Sequence, residues 1–595
     1  MAHLLRRPKR RTEYSPFVGT VEVGFFSRLE ASLLRFLERP SIALARRFNL
    51  DRMIERAGAY IPPPLFALRM VISLVITLVI SAIIFAISLT FEGLPLFSRL
   101  ILFLLGCLLP VFAISIPLMD LKSKADGRKK QIEEELSFAS VYLTTLARGG
   151  VSPIECLRRL AQMKWFPAFR KEVANILRNV YLLGKDPITA IKENAASHPS
   201  RVYRDFLEGY VTTVSTGGDV VNYLEMKTRA LFEAKLSNVR IVSERVSLIT
   251  EIFVILSVLT AIVFYILFAI STMTPGTPFS SLTSQVLFFF VFLPMTSILS
   301  LAMLHMTQPK TIVQMYLPQR TLIFSLPMSA AFFFLITLIF GWSLDSILFS
   351  LALALTMLSV PPAVAYVVET QYTTALEGYL ASLLRDITEI RKTGLSPEKC
   401  IESIAKRDYG PLTRFLRIIA TNLTWGVSLK SVIEKVSGKL RDWFAIVILN
   451  FLADAIDVGG GSVHVLDTLA RFSNTLSDIE SELKRSIKPY IAMPYLGAIV
   501  LSASTLIILY LIIASIPTML QTSAQRVPPE ELSQIILLFS SSLLINSWLM
   551  GLVAGKISTR SIMGGFKHAI LLVLISYVSI AVILKTLIAP YLTPT

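Results

Sequence analysis

Gly150-Val-Ser-Pro-Ile-Glu-Cys156 returns as Gly394-Leu-Ser-Pro-Glu-Lys-Cys400, and this recurrence decides how the chain is built. The offset is 394 − 150 = 244, and at the same offset Glu133 falls on Glu377 and Leu136 on Leu380. Further along, Gly184 falls on Gly426, and Gly217-Gly218 on Gly459-Gly460, at an offset of 242. A repeat of this length sets the architecture before any single element is considered. Each copy is a polar, helix-patterned block between hydrophobic spans.

The repeated stretch reads as a turn between two helices. Gly150 can take the left-handed conformation that closes one helix. Ser152 can cap the next, Pro153 suits its first turn, and Glu155 stands where a capping box needs it. Gly394, Ser396 and Pro397 repeat this grammar. Gly184-Lys-Asp186-Pro187, Gly426-Val-Ser428, Gly218-Asp219 and Gly461-Ser462 read as further turns of the same kind. Taken singly these are ordinary helix caps; the information lies in their ordered recurrence.

Composition gives the solvent. With 595 residues, 53% of them hydrophobic, and a mean hydropathy of +0.63, the chain is too apolar for a soluble protein of this size. Its net charge of +17 sits mainly outside the apolar runs, as expected at the cytosolic face of a membrane protein, and does not call for nucleic acid. Three cysteines cannot make a disulfide framework. Cys107 lies in a span, and the repeat-matched Cys156 and Cys400 are expected to fill helix cores. Residues 1–60 show no apolar core followed by a cleavage site.

Taken in order, residues 1–64 form a basic cytosolic segment. It opens with Arg6, Arg7, Lys9, Arg10 and Arg11, a lipid-facing tail. Between Phe25 and Arg39, Phe26, Leu29, Leu33 and Phe36 alternate with Arg28, Arg35 and Arg39. That pattern predicts an amphipathic helix, on the membrane surface or packed against the polar block, which Pro40 ends or kinks. Spans one and two (65–89 and 100–119) occupy the region 65–119. About 20 apolar residues suffice to cross a bilayer, and each run is long enough. The first polar block is 120–245, with helices at 129–148, 153–163, 167–183, 187–196, 200–215 and from 219 on. Neither Gly nor Pro occurs between Asp219 and Pro275, so this last helix is expected to run unbroken into span three. Region 246–367 holds spans three to six (246–270, 286–304, 321–340, 344–367). The second polar block is 368–488, and 489–595 holds spans seven to nine (491–513, 535–553, 569–587). Pro110, Pro294, Pro327, Pro361 and Pro494 are expected to bend their spans. The fold class is all-α: a polytopic membrane protein of about nine spans with two repeated cytosolic helical bundles.

Charge orients it. Loops 271–285 and 341–345 hold no Lys or Arg, and loops 90–99 and 520–534 hold one each. The opposite side carries the N-terminal cluster, both blocks, Lys310, Arg320, Lys556, Arg560 and Lys567. The positive-inside rule then puts the N-terminus and both bundles in the cytosol and the C-terminus outside.

Chemical motifs are hard to find. Gly551-Leu-Val-Ala-Gly555-Lys556-Ile-Ser558 approaches a phosphate loop but has one residue too few between its glycines and sits at a span end. A snorkelling lysine is the better reading of Lys556. His3, His198, His305, His464 and His568 lack metal-ligand spacing. Asp454 and Asp457 read as a solvated helix face, and Asn422-Leu-Thr424 is a glycosylation match on the wrong side. No ionisable residue stands near the middle of a span, which weighs against an ion-coupled transporter. No cofactor is implied. A transporter or polysaccharide exporter remains the alternative, and a membrane enzyme would need a catalytic constellation.

The ordered set of Gly-x-Ser-Pro, a mid-block Gly turn and a late Gly-Gly turn, twice over, resembles the F domain of type II secretion systems and type IV pili. Ile54-Glu-Arg-Ala-Gly58-Ala-Tyr-Ile-Pro62 resembles that family's entry segment. Two such domains with about nine spans are similar to the platform proteins of archaella and archaeal type IV pili. The resemblance covers roughly residues 50–590; the long basic N-terminal extension departs from it. It implies a non-enzymatic platform that holds pilin or archaellin subunits and is worked by a separate hexameric secretion ATPase. A homodimer is a further implication. Arg128, Lys129, Lys130, Arg158 and Arg159 in the first block, and Lys392, Lys399, Lys406 and Arg407 in the second, are the candidate docking residues. They read either as positive charge facing solvent and membrane lipids or as a surface for an acidic ATPase.

Overall fold

A computed structural model describes residues 38–59, 61–90, 96–273, 281–308, 316–440, 442–459, 461–522 and 529–585. No strand occurs among them. The expected tail and the helix between Phe25 and Arg39 lie outside the described residues, apart from the last two positions of that helix. Pro40 stands within α1 (Glu38–Arg47), and whether it ends or kinks the expected helix before it lies outside the described residues. Then come α2 (Leu50–Ala57), α3 (Pro63–Thr90) and α4 (Leu96–Arg148). The first polar block continues with α5 (Pro153–Gln162), α6 (Pro167–Tyr181), α7 (Pro187–Ser197) and α8 (Arg201–Ser215). Helix α9 is Val220–Met273, 54 residues or about 80 Å at 1.5 Å per residue.

Among the described residues, nine helices are long and apolar enough to cross a membrane, in the places expected. After α9 come α10 (Leu282–Leu287) and α11 (Leu293–Thr307), joined by a π-helical turn at Phe288–Phe292, then α12 (Tyr316–Phe340) and α13 (Leu344–Arg391). The second block holds α14 (Pro397–Ile404), α15 (Thr413–Thr424), α16 (Leu429–Ser437), α17 (Trp443–Gly459) and α18 (Val463–Ile487). Through the 3-10 turn Lys488–Ile491, α18 leads into α19 (Ala492–Thr522), followed by α20 (Pro529–Thr559) and α21 (Phe566–Ile583). The first bundle helix does not start at 129: α4 runs unbroken from span two to Arg148, through Pro110 and Pro117. Continuous rods therefore both enter and leave each polar block.

The repeated turn behaves alike in both copies. Gly150 and Gly394 have φ of 79° and 88°, the left-handed region that a side chain disfavours. Ser396 Oγ accepts from the Lys399 amide at 3.4 Å, opening α14. Cys156 and Cys400 are buried, with each thiol directed at the carbonyl five residues before it.

The chain divides into two compact units, and the division does not follow the repeat. The first comprises residues up to Ala139 with Leu157–Asp219. Here Leu50, Ile54, Met70 and Leu121 form an apolar core that fastens α1 and α2 to the start of the polar block. The second comprises Ser140–Cys156 with Val220–Thr595. The end of α4 belongs there because Tyr142 donates to Asp454 at 3.0 Å and lies 4.8 Å from the Phe451 ring, while Thr144 bonds Thr228 at 3.1 Å. Asp454 is thus buried rather than solvated; Asp457 is exposed.

Within the second unit α20 is the most enclosed span. Ser547 and Ser502 both bond Ser576, at 2.7 and 3.3 Å, tying α20 and α19 to α21. Trp548 Nε1 donates to Ser359 on α13 at 2.8 Å. Lys556 does not snorkel: it is 5% exposed, and its Nζ donates to the Arg560 carbonyl at 2.5 Å.

Candidate functional site

The first polar block is organised around a buried ion pair. Arg128 on α4 sends a two-pronged fork to Glu172 on α6, with Nε–Oε1 and Nη2–Oε2 both at 2.8 Å. Its Nη1 donates to the carbonyls of Glu55 and Arg56 at 2.9 and 3.2 Å, the C-terminus of α2. A guanidinium fits such a planar site where an ammonium would not. Asn194 Nδ2 also donates to Glu172, and Tyr203 donates to Asn194 Oδ1 at 2.9 Å. Ser200 Oγ donates to Glu133 at 2.6 Å and caps α8 by accepting from the Tyr203 amide. One network therefore fixes α2, α4, α6, α7 and α8 in the first unit.

Its charges set a pH dependence. Burial alone would raise the Glu172 carboxyl, but hydrogen bonding and charge from Arg128 hold it below its ordinary 4.5. Burial pushes the His198 imidazole down to about 4, against the pull of Glu172. Both groups bind protons more readily unfolded than folded, so stability rises with pH. The His198 contribution is full above the ordinary value of 6.5 and is lost as pH falls from 6.5 towards 4, by about 3 kcal/mol at 1.36 kcal/mol per pH unit. The Glu172 contribution is lost below 4.5, as its folded value is crossed. Protection of the 187–215 amides, taken relative to the intrinsic exchange rate at each pH, is expected to fall between pH 7 and pH 5 in the wild type, and much less in His198→Gln.

The candidate docking residues differ in their surroundings. Arg128 is committed inward, with its side chain 17% exposed, and is not a free surface cation. Lys129 and Lys130 are exposed on the next turn of α4, and Arg158 is exposed on α5 beside the half-buried Arg159. In the second block, Lys392 pairs with Glu389 at 2.7 Å and Arg407 with Asp386 at 3.2 Å; Lys399 and Lys406 are exposed. Among the described residues, no group of three or more His, Cys, Asp or Glu side chains could hold a metal ion.

Two features escaped the sequence reading. Leu183 and Trp425, equivalent at the offset of 242, stand exposed just before Gly184 and Gly426. Offset arithmetic on exposed apolar residues beside the repeat glycines could have found them. The second is a groove of about 350 Å³ between α9 and α18 in the second unit. Glu225 and Arg229 line it on α9, and their repeat equivalents Asp467 and Arg471 line it on α18. Arg148 pairs with Glu225, and Arg471 with Asp467 at 2.6 Å. The stacked rings of Phe232 and Phe472, 5.6 Å apart, join the two rods. Equivalent helices of the two copies thus face each other along matched charges.

Comparison with known proteins agrees with this duplicated arrangement. The family described as Type II secretion system (T2SS), protein F matches twice, at residues 139–268 and 383–510. Each match covers most of a polar block and the span that follows it. An uncharacterized protein of Methanocaldococcus jannaschii is 20% identical over 492 residues, 76% of this chain and 80% of its own length. No solved structure matches the chain. The chain is a multi-pass membrane protein that carries the type II secretion system F domain twice, and such domains indicate a membrane platform of the type II secretion and type IV pilus kind.

Proposed function

We propose that the chain is the membrane platform of an archaeal type IV pilus-like machine, a pilus or an archaellum. It couples a cytosolic hexameric secretion ATPase to pilin insertion and filament assembly, with no catalytic step of its own. The observation that carries this is the continuity of α4, α9, α13 and the α18–α19 rod from polar block into span. A displacement applied to a bundle by a partner travels along such rods into the bilayer. In this reading the N-terminus and both bundles face the cytosol and the C-terminus faces outward. Pilin or archaellin subunits and membrane lipids meet the spans, and the platform works as a homodimer. Lys129, Lys130, Arg158, Lys399 and Lys406, with the half-buried Arg159, are the cations that would meet an acidic ATPase, and the exposed Leu183 and Trp425 would add apolar contacts.

Deleting the gene tests this. Surface filaments are expected to disappear while processed pilin accumulates in the membrane. Filaments at normal number would overturn the proposal, as would substrate flux through proteoliposomes holding this chain alone, the outcome a transporter requires. Charge reversal at Arg158 and Arg159 is expected to weaken co-purification of the ATPase; unchanged recovery would remove both residues from the interface.

A further inference from the structure

We infer that Arg560 is a positioning residue that clamps the second bundle to the α20–α21 hairpin, so that movement of α18 reaches the last span. The inference rests on the platform reading and names the route of coupling in the second copy. The second helix of the hairpin is the part of the membrane domain that the repeat does not explain: two rounds of span, span, bundle, span, span leave α21 over.

The clamp is built from several directions. Arg560 lies in the short turn between α20 and α21 with φ of 59°, in the left-handed region where a residue with a side chain is strained. Such a conformation persists only where its surroundings hold it. Here they do. The Arg560 carbonyl accepts from Lys556 Nζ at 2.5 Å, and the Lys556 carbonyl accepts from Gln308 Nε2 at 3.1 Å. Thr559 Oγ1 donates to the Gly555 carbonyl at 2.8 Å and meets the Ser561 carbonyl at 3.1 Å. The turn is thereby fixed, and the Arg560 guanidinium, with its side chain 11% exposed, donates to Glu480 on α18. Lys484, one turn along α18, stands 3.9 Å from the same carboxylate. Glu480 is therefore the point where the rod leaving the second bundle is gripped by the hairpin, two turns before the 3-10 turn that starts α19. A surface ion pair contributes little, but one enclosed by a strained and fully bonded turn is held in a single geometry.

The test is a charge swap in the full chain. Arg560→Glu and Glu480→Arg, each alone, are expected to lower surface filament number about tenfold while membrane abundance stays within about twofold of wild type. The double variant, E480R with R560E, is expected to return filaments to within about twofold. Single variants that keep normal filaments, or a double variant no better than the singles, would overturn the clamp. So would singles that lose filaments only in step with the amount of protein, because that is the signature of a merely structural pair. These failures leave the platform reading standing so long as the deletion strain lacks filaments. A second measurement needs no filaments. Spin labels on Asp478→Cys and Lys567→Cys, in purified full-length protein lacking Cys107, Cys156 and Cys400, report the distance between α18 and the hairpin. A narrow distribution is expected with Arg560 present, a broad one in R560E, and a narrow one again in the swap. Identical distributions in all three would also overturn the inference.

Discussion

Replacing Gly555 with valine is expected to remove the α20–α21 hairpin from the fold and most of the protein from the membrane. A Cβ at Gly555 would stand 1.9 Å from the Gly565 Cα, and one at Gly551 would stand 2.3 Å from the Ala569 Cα. Both obstacles are backbone atoms of α21 or its lead-in, so no rotamer change relieves them. Ordinary overpacking costs about 1–3 kcal/mol because side chains can shift. Here the helices themselves must separate, and Phe566, Ala569, Leu549 and Leu552 lose the core they share. A loss of about 4 kcal/mol or more follows. Small residues at a helix crossing in a membrane have this consequence generally, since close backbone approach is what joins apolar helices in lipid. Gly127→Ala supplies the contrast. Nothing lies within 4 Å of its new Cβ, and the site is helical. It should be neutral or stabilise by about 0.5–1 kcal/mol. Membrane abundance and thermal unfolding in detergent read both.

The second large effect is expected at Glu172. Glu172→Ala removes both acceptors of the Arg128 fork and leaves a mostly buried guanidinium without its counter-charge. Breaking a buried pair from one side costs about 3–5 kcal/mol. The loss spreads, because the same guanidinium holds the C-terminal carbonyls of α2 and the same carboxylate holds Asn194. Amide exchange over 50–57 and 187–215 should therefore accelerate together in the full-length protein. Arg128→Met added to Glu172→Ala should recover part of the loss, since no buried charge then remains unpaired. Arg128→Lys in the wild type should itself destabilise, because one ammonium cannot span both oxygens and the α2 carbonyls.

Much of this molecule is legible in local pattern. Gly, Ser and Pro at the repeated turns carry their conformations in their own chemistry, so the helix boundaries of the first block, apart from the start of α4, fall within about two residues of those expected. The spans follow from apolar run length alone. What local pattern could not supply is which surface meets which. Arg128 sits in an exposed-looking basic run, yet its partner lies 44 residues away. Asp454 sits on a helix beside an exposed Asp457, yet it is buried with Tyr142, 312 residues earlier, and Lys430 at 2.9 Å as partners. Gly551 and Gly555 read as a defective phosphate loop because their real constraint, the backbone of α21, is absent from a motif. The unbroken α4 was obscured at 120–128, where the apolar run stops and Gly127 interrupts the helical pattern, although the backbone stays helical throughout. Of the candidate docking cations, sequence identified the charge but not its direction, and direction separates Arg128 from Lys129.

The proposed mechanism requires both bundles to lie on the cytosolic side of the membrane. Single cysteines at Lys129 and Lys399, one in each polar block, and one at Trp342 in the loop between α12 and α13, can be placed in a chain lacking Cys107, Cys156 and Cys400. An impermeant maleimide applied to intact cells is expected to label Trp342→Cys alone and to reach Lys129→Cys and Lys399→Cys only in inverted vesicles. Labelling of either bundle cysteine in intact cells would put that bundle outside, beyond the reach of any cytosolic ATPase, and would contradict the platform mechanism.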